Sequence, residues 1–318
     1  MSGAIGAAHW LHLVDATAAA RAAAAFGADP DSARVVGASE NVVVRAAVGH
    51  ETIFVRLSHP KHRDEAQLRA EIDFVSYLAD RGLPVARPRP APGGQHLVAV
   101  PLAGVDTHAA AFDEAPGREI PARPPPDAAH FRARGHFLGA LHTAARAYRA
   151  PGPERLHWHE EHAWALASGI LETEPPEVRR EHDALRDALA ALPTGRDQYG
   201  LVHGDFGASN LRLDGARLHV FDFDDCCRHW FVYDVAVTMY PHAARPDRRA
   251  LLDALRAGYA ATSGVGAPSP DAVGLFGRVR LLFLYLHRRA RLAGRPPAAE
   301  EAAWFAARRA TMRSPVAW

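Results

Sequence analysis

The stretch LVHGDFGASNLRLDGARLHVFDFDD, residues 201–225, holds the most informative pattern of this 318-residue chain. It contains the triplet HGD at 203–205, then Asn210 after four further residues, and Asp222 after an apolar run. Two short runs, NLRL and RLHV, flank an Asp-Gly dipeptide at 214–215, and this pattern predicts a β-hairpin. A hairpin would bring Asn210 and Asp222 to the same end of its two strands.

The residue types in this stretch suit phosphoryl transfer. Asp205 and Asn210 are five positions apart, as are the catalytic-loop aspartate and asparagine of kinases. A loop carboxylate can orient a substrate hydroxyl, while an asparagine oxygen and the carboxylate of Asp222 can coordinate magnesium. As isolated fragments, HGD would be only a turn and DFDD only an acidic surface cluster. Their order along predicted strands favours a functional site.

The strings HGDFGASN, residues 203–210, and VFDFDDCCRHWFVYDVA, residues 220–236, resemble the aminoglycoside phosphotransferase and choline kinase superfamily. The resemblance covers roughly residues 35–290 and is sharp only in these strings. It implies an α+β, bilobal protein-kinase-like fold. The N-terminal lobe would be a small antiparallel sheet, and the C-terminal lobe would be larger and mainly helical.

The resemblance also implies a role for individual residues. Asp205 would be the catalytic base or hydroxyl-orienting carboxylate, and His203 would brace its loop. Asn210 and Asp222 would be the magnesium ligands. Asp234 would anchor the backbone of the catalytic loop, which is a structural role.

Upstream patterns predict the N-terminal lobe. Two β-like runs at 42–47 and 52–57 predict a hairpin, and apolar residues three and four apart predict a helix within 61–82. A short strand then leads to a hinge in the sequence AGVD. We therefore expect a nucleotide-binding lobe at 1–102 and a helical lobe with the catalytic loop and acceptor site at 103–318.

A kinase also needs a strand cation for the phosphates and a helix carboxylate to hold that cation. Arg56 in the strand TIFVRL and Glu71 in the next helix fit this pattern, although an edge-strand arginine without function is the alternative. The usual lysine is absent, and Lys61 lies outside the strand. No G-x-G-x-x-G occurs, so GASEN at 37–41 supplies only Ser39 as a candidate phosphate contact.

Composition excludes several other classes. The chain is 48% hydrophobic and 23% charged with a formal net charge of +1, so no overall charge attracts nucleic acid or a membrane. Adjacent Cys226 and Cys227 rarely reach unstrained disulfide geometry, and the longest apolar run, near 281–286, is too short to cross a bilayer. We expect a cytoplasmic protein with no leader, no nucleic-acid partner and no membrane partner.

Two neighbouring features remain open. HWHEEH at 157–162 lacks the H-E-x-x-H spacing of a zinc site, so a solvated helix start is the simpler interpretation. Carboxylates there and just downstream would instead help to bind a cationic acceptor: Glu160, Glu161, Glu172 and Glu174. Asp224 is predicted near the site, where it would reach a second metal ion or the acceptor, or only cap the following segment.

These patterns predict an ATP- and magnesium-dependent phosphotransferase acting on a hydroxyl of a small molecule. The acceptor would be an amino alcohol, an aminoglycoside-like amino sugar or a hydroxy-amino acid. A stress-response-type Ser/Thr protein kinase and a nucleotide-binding pseudokinase scaffold are the alternatives. The absence of a Walker A sequence argues against a P-loop kinase. The oligomeric state and the choice between ATP and GTP stay open.

Overall fold

The computed structural model describes residues 10, 13–102, 104–121, 125–292, 294–313 and 318. The chain forms two compact units. The first consists of Met1–Pro116, Arg149–Glu154 and His219–Asp224, and the second of Gly117–Tyr148, Arg155–Leu218 and Asp225–Trp318. No helix formed by the described residues has both the length and the apolar character that crossing a bilayer requires.

The first unit is built on an antiparallel sheet. Its elements are α1 (Ala16–Ala25), β1 (Asp29–Ala38), β2 (Asn41–Val48), β3 (Glu51–Ser58), α2 (Glu65–Asp80), β4 (Pro88–Arg89), β5 (Leu97–Leu102) and β6 (Val105–Asp113). The sheet has the strand order β1-β2-β3-β6-β4, and β5 pairs with β6.

The predicted hairpin and helix of this unit are confirmed. β2 and β3 pair from Val48 opposite Glu51 at the turn to Asn41 opposite Ser58. In α2 the predicted apolar stripe is buried: Leu68, Ile72, Val75 and Leu78. The side chain of Asp64 caps this helix by accepting a hydrogen bond from the backbone N–H of Gln67 at 2.8 Å. Local patterns therefore suffice to form both elements.

Strand β6 is not evident from the sequence. Its residues include three consecutive alanines, Ala109, Ala110 and Ala111, which have little intrinsic preference for strands. The strand forms because it pairs with both β3 and β5. The sequence AGVD, where a hinge is predicted, connects β5 to β6, and Ala103 lies outside the described residues. The first unit therefore extends past residue 102.

The second unit is mainly helical. Its elements are β7 (Arg118–Glu119), α3 (Ala128–Ala147), α4 (His162–Ala165), α5 (Ala167–Leu171), α6 (Pro176–Ala190), β8 (Tyr199–Val202), β9 (Leu211–Asp214), the start of β10 (Arg217–Val220), β11 (Cys227–Trp230), α7 (Val232–Met239), α8 (Arg248–Ser263), α9 (Pro270–Arg291) and α10 (Ala299–Arg313). As predicted, β9 and β10 are neighbours, in a sheet of order β10-β9-β7. Strand β11 pairs antiparallel with β8.

The two cysteines lie where β11 begins. Both are free and buried, as expected for small apolar side chains. Burial raises the pKa of the Cys227 thiol well above its ordinary value, with a further contribution from the charge of Glu161. Cys227 is therefore a neutral, unreactive thiol at physiological pH.

Candidate active site

The backbone of the HGD loop is held by a buried carboxylate on α7. Asp234 accepts hydrogen bonds from the backbone N–H of His203 at 2.8 Å and of Gly204 at 2.9 Å. His142 on α3, which is also buried, lies 3.1 Å from the same carboxylate and 3.0 Å from the hydroxyl of Tyr259. This is the anchoring role that the resemblance implies for Asp234. His142 therefore contributes hydrogen bonds as well as packing.

Asp234 remains charged although it is buried. Burial alone would raise its pKa, but the hydrogen bond and charge of His142 and the backbone hydrogen bond from His203 lower it. A fixed anion therefore sits behind the loop and orients two successive N–H groups toward itself. The loop that carries Asp205 is thus positioned by the interior of the second unit.

Gly204 is required by this loop. Its φ is +84°, in the region that favours glycine. A Cβ atom at this position would also lie 2.1 Å from the carbonyl oxygen of Asp225. Any side chain here would displace the loop and with it Asp205.

Asp205 and Asn210 are joined directly. The side-chain nitrogen of Asn210 donates to the backbone oxygen of Asp205 at 2.9 Å and to its Oδ2 at 3.1 Å. Asn210 is buried, while one third of the Asp205 side chain is exposed. Because these hydrogen bonds use the amide nitrogen, the amide oxygen of Asn210 is available as a ligand for a hard cation.

Arg280 on α9 is a site residue that the sequence did not reveal. Its guanidinium forms an ion pair with Oδ1 of Asp205 and lies 3.5 Å from both the carbonyl oxygen of Gly204 and the hydroxyl of Tyr233. Burial alone would lower the pKa of Arg280, but Tyr233 and Asp205 raise it above its ordinary value. The two oxygens of Asp205 therefore have separate partners, Arg280 on one and Asn210 on the other.

In the first unit, Arg56 and Glu71 form a bidentate ion pair. Nη1 of Arg56 is 2.9 Å from Oε1 of Glu71, and Nη2 bonds the other oxygen. Both side chains are buried. Since β3 lies between β2 and β6, the edge-strand alternative for Arg56 is wrong. The structure brings together the strand cation and the helix carboxylate that the sequence singles out.

Asp222 and Asp224 belong to the same unit as Arg56. Oδ1 of Asp222 lies 3.6 Å from Nη1 of Arg56, and Oδ1 of Asp224 lies 3.9 Å from it. Asp222 is half exposed and has a φ of 63°, the only positive φ of a non-glycine residue among those the structure describes. Such backbone strain concentrates at functional sites.

Asp224 is held by several basic side chains. Its Oδ2 lies 2.7 Å from Nε2 of His62, and its Oδ1 lies 3.8 Å from Nε of Arg63. Burial alone would raise the pKa of Asp224, but His62, Arg56 and Arg63 hold it well below its ordinary range. Asp224 is therefore an anion tied to the first unit's own side chains.

Ser39 lies in the connection between β1 and β2. Its backbone N–H donates to the carbonyl oxygen of Asn41 at 3.0 Å, and its side chain is exposed. This position leaves the hydroxyl accessible to a ligand. As a candidate phosphate contact, Ser39 therefore has weaker structural support than Arg56 and Glu71, which hold each other in place.

A small cavity of about 20 Å³ lies in the second unit, and Gly204, the residue before Asp205, lines it. Trp158 and Trp164 form part of its wall with their rings perpendicular at 5.1 Å. The carboxylates of Glu161 and Asp225 also line it. Aromatic faces together with carboxylates are the chemistry that binds ammonium groups.

Of the four glutamates considered for a cationic acceptor, only Glu161 lines this cavity. Glu174 is buried and forms an ion pair with Arg289 and a hydrogen bond with Tyr285. Glu160 accepts a hydrogen bond from the backbone N–H of His157 at 2.7 Å. The segment HWHEEH thus starts a short helix and contributes to a cavity wall.

The predicted site residues fall in both units. His203, Asp205 and Asn210 belong to the second unit, where they are joined by the contacts above. The first unit contains the rest: Ser39, Arg56, Glu71, Asp222 and Asp224.

The chain is similar to known proteins in sequence and in fold. The model of the phosphotransferase enzyme family, APH, matches residues 31–275 of the chain. Amicoumacin kinase of Bacillus subtilis (strain 168) is 29% identical over 224 residues. This alignment covers 70% of the present chain and 66% of that kinase, just under two thirds of its length.

Two solved structures have a similar fold. The amicoumacin kinase hAmiN in complex with AMP-PNP, Ca2+ and Ami has a TM-score of 0.83 and 23% identity, over 93% of this chain and 92% of that one. A microcompartment-associated aminopropanol kinase has a TM-score of 0.75 and 23% identity, over 94% and 95%. These likenesses confirm the predicted kinase-like α+β fold.

Proposed function

Because this chain belongs to the phosphotransferase enzyme family, we propose that it transfers the γ-phosphoryl group of ATP to a hydroxyl group of a small, amine-bearing molecule. The observation that carries the proposal is the carboxylate of Asp205. It is fixed through both oxygens, by Arg280 and Asn210, and is still one third exposed. A fixed carboxylate that remains accessible is suited to act on a substrate hydroxyl.

Asp205 would orient the acceptor and take its proton. The hydroxyl donates a hydrogen bond to the carboxylate, which directs an oxygen lone pair toward the γ-phosphorus. As the new O–P bond forms and the bond to the leaving ADP oxygen breaks, the hydroxyl proton passes to Asp205. Arg280 acts as a positioning residue because it holds one oxygen of this carboxylate, and His203 braces the loop.

The residues proposed as metal ligands offer hard oxygen donors. Asp222 supplies a carboxylate, and Asn210 supplies the amide oxygen that its hydrogen bonds to Asp205 leave available. Within the described part of the chain, no three His, Cys, Asp or Glu side chains form a group that could hold a metal ion by themselves. Magnesium fits such a donor set, since it is usually held by one or two protein groups and the substrate phosphates. When bound, it would neutralise charge on those phosphates.

Arg56, Glu71 and Ser39 are proposed as nucleotide-binding residues. The Arg56 guanidinium would contact the phosphates, and Glu71 would keep it in place. Ser39 would offer its exposed hydroxyl to phosphate oxygens. Asp224, which lies within 4 Å of Arg56, would help to fix that guanidinium rather than act on the acceptor.

The cavity of the second unit supports the proposed class of acceptor. Its aromatic and acidic wall favours an ammonium group, and its volume of about 20 Å³ is well below that of most small-molecule sites. An amino alcohol or a hydroxy-amino acid therefore fits better than a multi-ring amino sugar. One of the structures with a similar fold is an aminopropanol kinase, and aminopropanol combines an amine with a hydroxyl.

Incubation with γ-labelled ATP, magnesium and a panel of acceptors tests this function. The panel contains amino alcohols, hydroxy-amino acids, aminoglycosides and a generic protein substrate. We expect transfer to small amine-bearing alcohols, and Asp205→Asn should lower the rate by about 10²- to 10⁴-fold while ATP binding persists. Asp214→Asn, on an exposed turn of the same hairpin, is the matched control. Transfer to protein alone, or full turnover by Asp205→Asn, would contradict the proposal.

A further inference from the structure

One side chain in the acceptor cavity has no assigned role in the transfer. His229 on β11 lines the cavity and is 2% exposed. Its ring stacks on Tyr233 with centroids 4.1 Å apart and planes at 8°, and it lies 5.7 Å from the ring of Trp158. These contacts fix the orientation of the imidazole.

The hydrogen bonds of His229 define which nitrogen carries its proton. The backbone N–H of Trp230 donates to Nδ1 at 2.8 Å, so Nδ1 is an acceptor. Burial lowers the pKa of His229 to about 3, and the ring is therefore neutral at physiological pH. A neutral imidazole with an acceptor at Nδ1 has its single proton at Nε2.

Among the described residues, Nε2 of His229 has no hydrogen-bond partner. A buried donor without a partner is destabilising by about 1–3 kcal/mol, and native proteins rarely leave one unsatisfied without a functional reason. Since the ring borders the cavity, a bound molecule can provide the missing acceptor atom. An uncharged oxygen suits this wall better than an anion, because Glu161 and Asp225 also line it.

We propose that His229 is a specificity-determining residue whose Nε2–H hydrogen-bonds a second, uncharged oxygen of the acceptor, such as an amide carbonyl. The inference rests on the proposed function and narrows its substrate class. The acceptor then carries three groups: an ammonium for the aromatic and acidic wall, a hydroxyl for Asp205, and a carbonyl for His229. A simple amino alcohol satisfies only the first two.

Three probes separate these requirements: 3-amino-1-propanol, L-homoserine and L-homoserinamide. All share an amine and a hydroxyl three carbons apart, and they differ in bearing no carbonyl, a carboxylate or an amide. Binding is measured by the change in tryptophan fluorescence, to which Trp158 and Trp164 in the cavity wall contribute, and transfer by labelled ATP. We expect the amide to bind at least about tenfold more tightly than aminopropanol, since a site built to hydrogen-bond a group rejects analogues that lack it.

Two variants isolate the donor. His229→Asn keeps an acceptor near the Nδ1 position and removes the distal donor, so the preference for the amide should fall to within about twofold of unity. His229→Gln restores a distal N–H and should recover part of the preference. His242→Asn is the matched control, because His242 is also neutral, with a pKa of about 4, and does not line the cavity.

The outcomes distinguish the inference from the function on which it rests. Equal binding of the amide and aminopropanol, no binding of any probe, or an unchanged preference in His229→Asn overturns the role of His229. Selective binding without any phosphate transfer overturns the proposed function and leaves this role standing. Nitrogen NMR of the unliganded protein adds an independent test, because a proton on Nδ1 rather than Nε2 would contradict the argument.

Discussion

The two units each contain an arginine–carboxylate pair, and the pairs differ in their carboxylates. The side chains of Arg56 and Arg280 are similarly enclosed, at 6% and 11% exposure. Glu71, the partner of Arg56, is 0% exposed, whereas Asp205, the partner of Arg280, is 33% exposed. The two arginines are therefore similarly buried, whereas the two carboxylates differ in how much of their surface is exposed.

This difference separates two roles for the same kind of ion pair. Both oxygens of Glu71 bond to Arg56, so this carboxylate can only hold the arginine in place. Asp205 gives one oxygen to Arg280 and the other to Asn210 and still faces solvent. An enclosed carboxylate can only position its partner, while an accessible one can itself contact a substrate, which is the role proposed for Asp205.

The largest expected effect comes from breaking the enclosed pair. Glu71→Gln leaves Arg56 as a buried charge without its bidentate partner, and removing one member of such a pair is strongly destabilising. We expect the free energy of unfolding of the first unit to fall by about 3 kcal/mol. The loss should not be larger, because Asp222 and Asp224 still lie within 4 Å of Arg56. Urea unfolding followed by circular dichroism measures it.

Two further variants check that charge burial is the cause. Glu65→Gln breaks the exposed pair with Arg69 on the same helix and should not shift the unfolding midpoint. Arg56→Met combined with Glu71→Leu removes both charges and should recover most of the stability without recovering phosphate transfer. If the double variant is as unstable as Glu71→Gln, the unpaired buried charge of Arg56 is not the cause of the lost stability.

The accessible pair should respond in rate rather than in stability. Arg280→Met frees one oxygen of Asp205, the proposed catalytic carboxylate, and misplacing such a group by an ångström lowers rates by about 10²-fold. We expect kcat to fall by about 10- to 100-fold while the KM for ATP changes little. Arg280→Lys should recover part of kcat because it retains the positive charge.

Arg278→Met is the matched control for Arg280. Arg278 lies on the same helix and forms a bidentate pair with Glu181, a carboxylate without a proposed catalytic role. Its loss should leave kcat unchanged. Equal loss of kcat in both variants would mean that helix α9 acts only as a scaffold, and the contrast between the two ion pairs would no longer stand.

Sequence patterns predict those parts of the fold that form from local information. The alternation in β2 and β3 and the apolar stripe of α2 are each contained in a single segment. Strands β6 and β11 are not predictable in this way. β6 is rich in alanine, and the CRHW sequence of β11 does not alternate, so both depend on pairing with strands that are distant in sequence.

The proposed site residues also differ in whether local sequence patterns predict them. Asp205, Asn210 and Asp222 lie in one contiguous motif, and Arg56 and Glu71 fall on the expected strand and helix. Arg280 contacts Asp205 from 75 residues away, and no spacing marks it in a chain with 37 lysine and arginine residues. His229 is equally unmarked, because its proposed role depends on the cavity that it lines and on the partner of its Nδ1.

His229 extends the comparison to a buried ionisable side chain that is neutral in the folded protein. Arg56 keeps its charge because Glu71 lies against it, whereas burial lowers the pKa of His229 from 6.5 to about 3. In the unfolded chain this histidine binds a proton below about pH 6.5, and in the folded protein it does not. Its contribution to stability is therefore complete above pH 6.5 and is lost as the pH falls from there toward 3.

The smallest predicted effect is therefore a pH dependence that His229→Gln should remove. Between pH 7.5 and pH 5, titration of His229 alone should lower the free energy of unfolding by about 2 kcal/mol in the wild-type protein. Other buried histidines contribute equally to both proteins and cancel in the difference. Urea unfolding of the two proteins at several pH values, followed by tryptophan fluorescence, measures it. Parallel pH dependences would mean that His229 binds a proton as readily in the folded protein as in the unfolded chain, which would contradict a buried imidazole that stays neutral down to about pH 3.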